Sequence, residues 1–509
     1  MVITGKNFIG NHLSAKGFES YKTYNPSKNI DNETVFVEAT MEELDEAADL
    51  AETAFITYSE IPGIKRAAFL KAIATEILNL GTGLVDIYCE ETGLPEGRAL
   101  GERGRTIFQL QLFAKMITSE DWRKIVSEKA LPERTPLPKP SLQKTHIPLG
   151  PIAVFGASNF PLAYSTAGGD TVSALAAGCP VIVKSHPMHS GTGALVASAI
   201  LKAAEDTGMP NGVFSNINSK SYSLSHALVS HPKIKGVGFT GSFLGGSSLQ
   251  ESVWKREEPI PFFAEMGSIN PIAIMPGAIA ENYKEVAQKI AGSMVLGVGQ
   301  FCTQPGLILV TEGGKTDNFI EALEIALSKT EQQCMIHPNL KQNYIHQSDK
   351  INDLNCTEVI KTENEIPDDT FVYPKISLVS GDQFLKDTQY QEEVFGPFSL
   401  IVKCKDTKEL EAATHSLKGQ LTGSIFGQSS DYKLITPLIQ IMKSKVGRFL
   451  FNDVPTGVEV SDAMTHGGPF PATSDSRFSA VGHGAIYRWV RPITYQNWPE
   501  ELLRFTVNQ

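Results

Sequence analysis

Apolar positions along the chain change their spacing twice. Behind Thr40-Met-Glu-Glu43, whose first and last side chains suit a capping box, Leu44, Ala47, Ala48, Ala51, Ala54, Phe55 and Tyr58 fall at helical intervals, and the pattern predicts an amphipathic helix. From Leu131 to Pro151 prolines stand at 132, 136, 138, 140, 148 and 151, which excludes a continuous helix and favours an extended or edge-strand path. Beyond it, short apolar runs alternate with helical stretches. Strands are predicted at Ile152–Phe155, Val181–Val183, Val213–Ser215 and Gly236–Phe239, with helices near Ser165–Ala177, Thr192–Thr207 and Ser223–Val229.

This alternation is the pattern of a mostly parallel sheet with helices on both faces, an α/β fold whose ligands sit at the carboxyl ends of the strands. A second block of the same kind begins near Pro259, with Phe262-Phe-Ala264, Ile272-Ala-Ile274, a helix around Tyr283–Leu296 and a strand at Leu307–Val310. It reads as a second domain. The aromatic, basic stretch Tyr487–Tyr495 reads as a strand available for pairing between subunits.

The chain has 509 residues, enough for several structural units around a large core. Its 45 Lys+Arg against 56 Asp+Glu give a net charge of −11, a field that opposes nucleic acid and anionic membrane, and no apolar run reaches membrane-spanning length. Six cysteines are too few for a disulfide framework, no C-x-x-C pair points to zinc, and the N-terminus lacks a signal-like apolar stretch. The expectation is a cytoplasmic protein with reduced thiols.

Cys302 lies in Gly297-Val-Gly-Gln-Phe-Cys-Thr-Gln-Pro-Gly306, a glycine-rich turn between a helix and a strand, where a half-exposed thiol is suited to nucleophilic chemistry. Cys89, Cys179, Cys334, Cys356 and Cys404 lack such a setting and read as small packing residues. Glu265, directly after an apolar strand, is a candidate general base whose acidity burial would weaken. Asn159, at the end of the first strand, offers an amide to an oxyanion. Gly238-Phe-Thr-Gly-Ser-Phe-Leu-Gly-Gly246 follows a strand and opens a helix, so its N–H groups suit a pyrophosphate, and Lys184 ends a strand where a ribose hydroxyl would lie. His186 and His189 read as solvated turn histidines, with nothing nearby to complete a metal site.

Six motifs in order, Gly-Ala-Ser-Asn159-Phe-Pro, Pro-Val-Ile-Val-Lys184, Gly-Phe-Thr-Gly241-Ser242, Ala-Glu265-Met-Gly, Gly-Gln-Phe-Cys302 and Glu392-Glu393-Val-Phe395-Gly-Pro397, resemble the aldehyde dehydrogenase superfamily across essentially the whole chain. The stretch Gly150–Thr171 resembles the 2,5-dioxovalerate (α-ketoglutarate semialdehyde) branch and its NADP-linked fatty aldehyde relatives. The resemblance implies a Rossmann-type cofactor domain (1–120 and 143–258), a catalytic domain (259–485) and a small oligomerisation element (121–142 and 486–509) forming a homodimer or homotetramer.

It also implies that Cys302 attacks an aldehyde, that Asn159 and the Cys302 N–H hold the oxyanion, and that Glu265 activates the hydrolytic water. Lys184, Gly241, Ser242, Glu393 and Phe395 would hold NAD or NADP. Many NAD-dependent members carry a glutamate three residues after the lysine; Lys184-Ser-His-Pro187 does not, so NADP is expected to be accepted, with Lys220 pairing its 2′-phosphate. Arg105, Phe160 and Tyr164 match tunnel positions, Arg105 as a clamp for a substrate carboxylate. The expected substrate is α-ketoglutarate semialdehyde. A fatty aldehyde, an acyl transfer to coenzyme A and a non-catalytic scaffold are the competing readings, and the presence of Cys302, Glu265 and Asn159 together argues against the last two.

Overall fold

The helix behind Thr40 runs from Met41 to Tyr58 in the computed structural model, which describes residues 3–354, 356–358 and 370–503. Its start is a capping box: the Thr40 hydroxyl accepts from the Glu43 N–H at 3.1 Å, and Glu43 Oε2 accepts from the Thr40 N–H at 2.8 Å. The helix packs its small apolar face on a seven-stranded sheet. That sheet runs in the order Phe262–Glu265, Gly236–Thr240, Ile152–Phe155, Val181–Ser185, Phe214–Asn218, Asn7–Ile9, His12–Ser14, with the first five strands parallel.

Both faces of this sheet are covered, which is why its strands are continuous apolar runs. Ile152, Val154, Val181 and Val183 face a core shared with helices Gly63–Asn79, Gly169–Ala177 and Ser190–Asp206, whereas Ala153, Phe155 and Ile182 face Met41–Tyr58, Tyr222–Ser230 and Phe243–Trp254. Strand order reverses at Ile152–Phe155: successive strands add on one side through Phe214–Asn218, then on the other through Phe262–Glu265. A crevice for a ligand opens at the carboxyl ends beside such a reversal.

The second sheet has the order Thr357–Glu358, Lys375–Ser380, Phe398–Cys404, Leu307–Thr311, Ile272–Ile274, Gln420–Phe426, Val446–Phe451, parallel except at the first strand. Helix Pro276–Val295 precedes the Cys302 turn and breaks regular geometry at Asn282. Two expected boundaries move. Phe262–Glu265 pairs in register with Val237–Thr240, so it closes the first sheet, and the division falls after Glu265 rather than at residue 259.

The other shift concerns the proline-rich excursion. Leu142–Pro148 forms one strand between Val126–Glu128 and Val490–Gln496, so the expected cut at residue 143 falls inside it. Prolines confine this strand to a small sheet whose outer members each have one open side among the described residues. Residues 504–509 of the expected oligomerisation element lie outside the described residues. No single helix among the described residues is long and apolar enough to cross a membrane.

Candidate active site

Cys302 is presented by a turn of unusual backbone. Gly297, Val298 and Gly299 have φ of 55°, 61° and 62°, a left-handed run that a β-branched valine rarely adopts. Close packing explains the glycine at 299, where a Cβ would meet the Gly396–Pro397 backbone at 2.4 Å. The thiol-bearing turn is thereby pressed against the segment that carries Glu393 and Phe395. Gly267 makes a comparable approach from the other side, since a Cβ there would lie 2.4 Å from Glu393 Oε2.

Glu265 ends its strand facing the sulfur and is 6% exposed. Its backbone is fixed on two sides, by the Gly241 N–H donating to its carbonyl at 3.0 Å and by a bridge to Thr473. His466 Nε2 lies 3.0 Å from Glu265 Oε2 and 3.7 Å from Cys302 Sγ, yet neither carboxylate oxygen has a well-aligned hydrogen-bond donor. Burial pushes the Glu265 carboxyl up, but the adjacent imidazole and thiol outweigh it and hold the group below the ordinary carboxylate value. The sequence-based expectation of a weakened acid is therefore corrected: burial is present, and the neighbours reverse its effect. Burial and the Glu265 charge push the Cys302 thiol well above its usual value, so at neutral pH it rests protonated. A cavity of about 20 Å³ behind the pair, lined by Glu265, His466, Asp475, Ser479 and Arg488, has room for one water.

Asn159 is buried beside the same turn and donates one Nδ2–H to Gln300 O at 2.8 Å, leaving its second N–H for a ligand. The turn after it is set by buried Glu102, which accepts from the N–H groups of Leu162 and Ala163 at 2.8 and 2.9 Å and from the Tyr88 hydroxyl at 2.7 Å. Phe160 and Phe301 meet edge to face at 5.1 Å, and the Arg98 guanidinium covers both rings. Tyr164 stands between Phe160 and His466.

Arg105 points inward, donating to Val458 O and, at 3.2 Å, to the Tyr164 hydroxyl, while Arg103 turns away to Gly81 O. Arg448, unforeseen in the sequence, holds the same loop through Gly457 O and Pro455 O. Both arginines lie within the electrostatic reach of the Cys302 sulfur, and each keeps a buried Nε–H without an acceptor among the described residues.

Residues 12–469 match the aldehyde dehydrogenase family pattern. The chain belongs to the aldehyde dehydrogenase family. Aldehyde oxidation with NAD or NADP as hydride acceptor comes with that membership. The chain is 43% identical over 504 residues to α-ketoglutaric semialdehyde dehydrogenase 2 of Azospirillum brasilense, covering 99% of this chain and 96% of that one. It is 42% identical to α-ketoglutaric semialdehyde dehydrogenase of Acinetobacter baylyi, covering 98% and 95%. A solved methylmalonate-semialdehyde dehydrogenase from Oceanimonas doudoroffii shares the fold, with a TM-score of 0.82 at 19% identity over 98% of this chain and 99% of that one.

The crevice fits the coenzyme of this aldehyde dehydrogenase family. Lys184 and Gly241 end strands on opposite sides of the strand-order reversal, and the Lys184 ammonium, half-buried and pushed down to about 8 by burial, has no partner among the described residues. Glu393 is pushed up to about 7 by burial and, among the described residues, accepts only the Ser268 N–H, at 3.3 Å. Each is an underused polar group of the kind ribose hydroxyls satisfy. Ser242 caps helix Phe243–Trp254 through Gly245 N at 3.2 Å, so its hydroxyl is engaged and the exposed first-turn N–H groups are the free donors.

One expectation about this crevice changes, and one residue is added to it. The addition is Glu38, bonded to Ser219 Oγ at 3.1 Å and Ser221 N at 3.3 Å, which acts electrostatically on Lys184. The expected solvated pair is instead a buried His189 stacked on a half-buried His186, with ring centroids 5.0 Å apart and His189 Nε2 donating to Ala157 O at 2.9 Å. Lys220 is exposed at its rim. Of the other cysteines, Cys179 and Cys404 are buried, and Cys89, Cys334 and Cys356 are half-buried.

His466, Arg448 and Glu38 escaped the sequence reading because they reach the site from distant segments. One signal for His466 was available: Thr465-His-Gly-Gly-Pro469 is a glycine-rich turn comparable with the one around Cys302. Glu102→Ala leaves two buried N–H groups without an acceptor and frees the Asn159–Tyr164 turn. The expected result is a fall in kcat/KM for the aldehyde of about tenfold or more, with coenzyme Kd unchanged; steady-state kinetics and a binding titration check it.

Proposed function

We propose that the chain oxidises α-ketoglutarate semialdehyde to 2-oxoglutarate, with Cys302 as nucleophile, Asn159 and the Cys302 N–H as the oxyanion site, and Glu265 as the base of hydrolysis. The Cys302 thiol gives its proton to His466, whose imidazolium the Glu265 carboxylate stabilises, while the sulfur adds to the aldehyde carbon. Asn159 and the backbone N–H hold the resulting oxyanion. The nicotinamide, when bound, accepts the hydride from that carbon. The proton on His466 leaves by the water-sized cavity lined by Asp475 and Arg488. Glu265 then deprotonates a water that attacks the thioester, and the acid departs as the thiol is restored.

The observation that carries the substrate is the pair of buried, unpaired Nε–H groups on Arg105 and Arg448. A keto-acid aldehyde brings a carboxylate that satisfies both, whereas a hydrocarbon tail would bury them unpaired. The name of the two relatives above 40% identity agrees with this chemistry. Phe160, Phe301 and Tyr164 supply the apolar wall for the intervening methylenes. Subunits would join through the open edge of Val490–Gln496 into a homodimer or homotetramer.

Arg105→Ala and Arg448→Ala each lower kcat/KM for α-ketoglutarate semialdehyde by about a hundredfold, or ~2.7 kcal/mol, with less than about a threefold change on hexanal. Equal losses on both aldehydes would reject the clamp. The coenzyme crevice holds either coenzyme, with Lys184 and Glu393 on the two riboses, Gly241 and the turn after it on the pyrophosphate, Phe395 beside the nicotinamide ribose and Lys220 at the 2′-phosphate of NADP.

Glu393 is an anion only above about 7 and Lys184 a cation only below about 8, so binary coenzyme binding is tightest between those values and weakens on both sides. Fluorescence titration across pH checks this: Glu393→Gln removes the acid limb, and Lys220→Ala weakens NADP while sparing NAD.

A further inference from the structure

Cys302 Sγ, His466 Nε2 and Glu265 carboxylate oxygen all lie within 4.8 Å of one another, and no hydrogen bond of good geometry occupies the carboxylate. Around a tetrahedral zinc ion, with Zn–S near 2.3 Å and Zn–N or Zn–O near 2.0–2.1 Å, neighbouring ligand atoms stand roughly 3.3–3.6 Å apart. The observed separations of 3.7 Å for sulfur to imidazole and 3.0 Å for imidazole to carboxylate bracket that range. We infer that these three side chains form a binding site for a thiophilic divalent cation such as Zn2+, and that the bound metal shuts the active site by occupying the nucleophile.

The chemistry of the set supports this beyond the distances. One sulfur, one imidazole nitrogen and one carboxylate oxygen are a usual zinc donor set, and three protein ligands leave a fourth position for water. Binding forms an S–Zn bond and releases the Cys302 thiol proton to solvent, with no oxidant or reductant required. Thiolate and carboxylate together cancel the double charge of the ion, which lowers the cost of burying it. Glu265, more than nine-tenths buried, has His466 3.0 Å away but no aligned donor, and the metal gives its carboxylate a direct bond.

The surroundings set the selectivity. Arg105 and Arg448 both act on the same sulfur, and their positive charges oppose any cation held by electrostatics alone. Mg2+ and Ca2+, which bind through oxygen and charge, are excluded; a metal that forms strong bonds to sulfur and nitrogen overcomes the repulsion. The site arises only where the turns around residues 302 and 466 meet the end of the Phe262–Glu265 strand, which is why no spacing along the chain announces it.

Co2+ titration of the full-length, chelator-washed protein, without aldehyde or coenzyme, tests the site. The expected result is one Co2+ per chain with a thiolate-to-metal charge-transfer band and tetrahedral visible bands, displaced by Zn2+ and untouched by Mg2+ or Ca2+. Cys302→Ser abolishes the charge-transfer band, and His466→Phe and Glu265→Gln weaken binding by about tenfold or more. Alkylation of wild-type Cys302 with iodoacetamide is the control should a variant misfold, and it too removes the band. A band that survives in Cys302→Ser or after alkylation, its absence from the wild type, or unchanged affinity in His466→Phe overturns the inference. Because the readout is spectroscopic and needs no turnover, failure here is distinguishable from failure of the proposed aldehyde oxidation. Inhibition by Zn2+, reversed by EDTA, is the functional counterpart, and inhibition equally strong in His466→Phe contradicts it.

Discussion

A half-buried thiol meets a buried imidazole and a buried carboxylate within 4.8 Å, and the rest of the molecule holds them there. Desolvation alone would protonate Glu265 and leave the site without a base. His466 and the thiol reverse that balance and hold the carboxyl below its ordinary value, while burial and the Glu265 charge hold the thiol well above its own. A resting thiol is less open to oxidation and alkylation than a thiolate. The same tension makes the trio attractive to a metal that can replace the thiol proton.

Two mostly parallel sheets make this meeting possible, the carboxyl end of the first sheet's last strand facing the amino ends of strands in the second. Glu265 closes the last strand of the first sheet, while Cys302 sits in the turn that feeds Leu307–Thr311 of the second. Their separation is fixed by backbone contact more than by side chains: Gly299 rests against Gly396 and Pro397, and Gly267 against Glu393. Tight packing at these points ties the segments of Cys302, Glu265 and Glu393 into one unit, so a displacement of any one moves the others. Glu102 does the same for Asn159 by holding the following turn from a neighbouring helix.

Local pattern was enough for the strands, since Ile152–Phe155 and Ile272–Ile274 are apolar runs bounded by turn residues, and they appear at those residues in the fold. Assignment of Phe262–Glu265 to the wrong sheet shows where pattern stops: its apolar residues announce a strand but not its neighbour, which is Gly236–Thr240. Cys302 and Asn159 were visible because each sits in a turn beside a regular element, and Glu265 because it ends an apolar strand. His466, Arg448 and Glu38 depend on contacts between segments far apart in the chain, and the neighbouring imidazole and thiol, rather than burial, decided the direction of the Glu265 shift. Arg105 lay between: the family resemblance placed it at a tunnel position, and only the fold showed its guanidinium against the Tyr164 hydroxyl.

The central claim is that Glu265 serves the hydrolytic half of the reaction while Cys302 carries the acyl group. Rapid-quench mixing of Glu265→Gln with coenzyme and α-ketoglutarate semialdehyde tests it directly. The account predicts a burst of about one reduced coenzyme per chain, an acyl adduct on the Cys302 peptide by mass spectrometry, and subsequent turnover slowed about a hundredfold or more. Undiminished turnover, or an adduct on any residue other than Cys302, would contradict it.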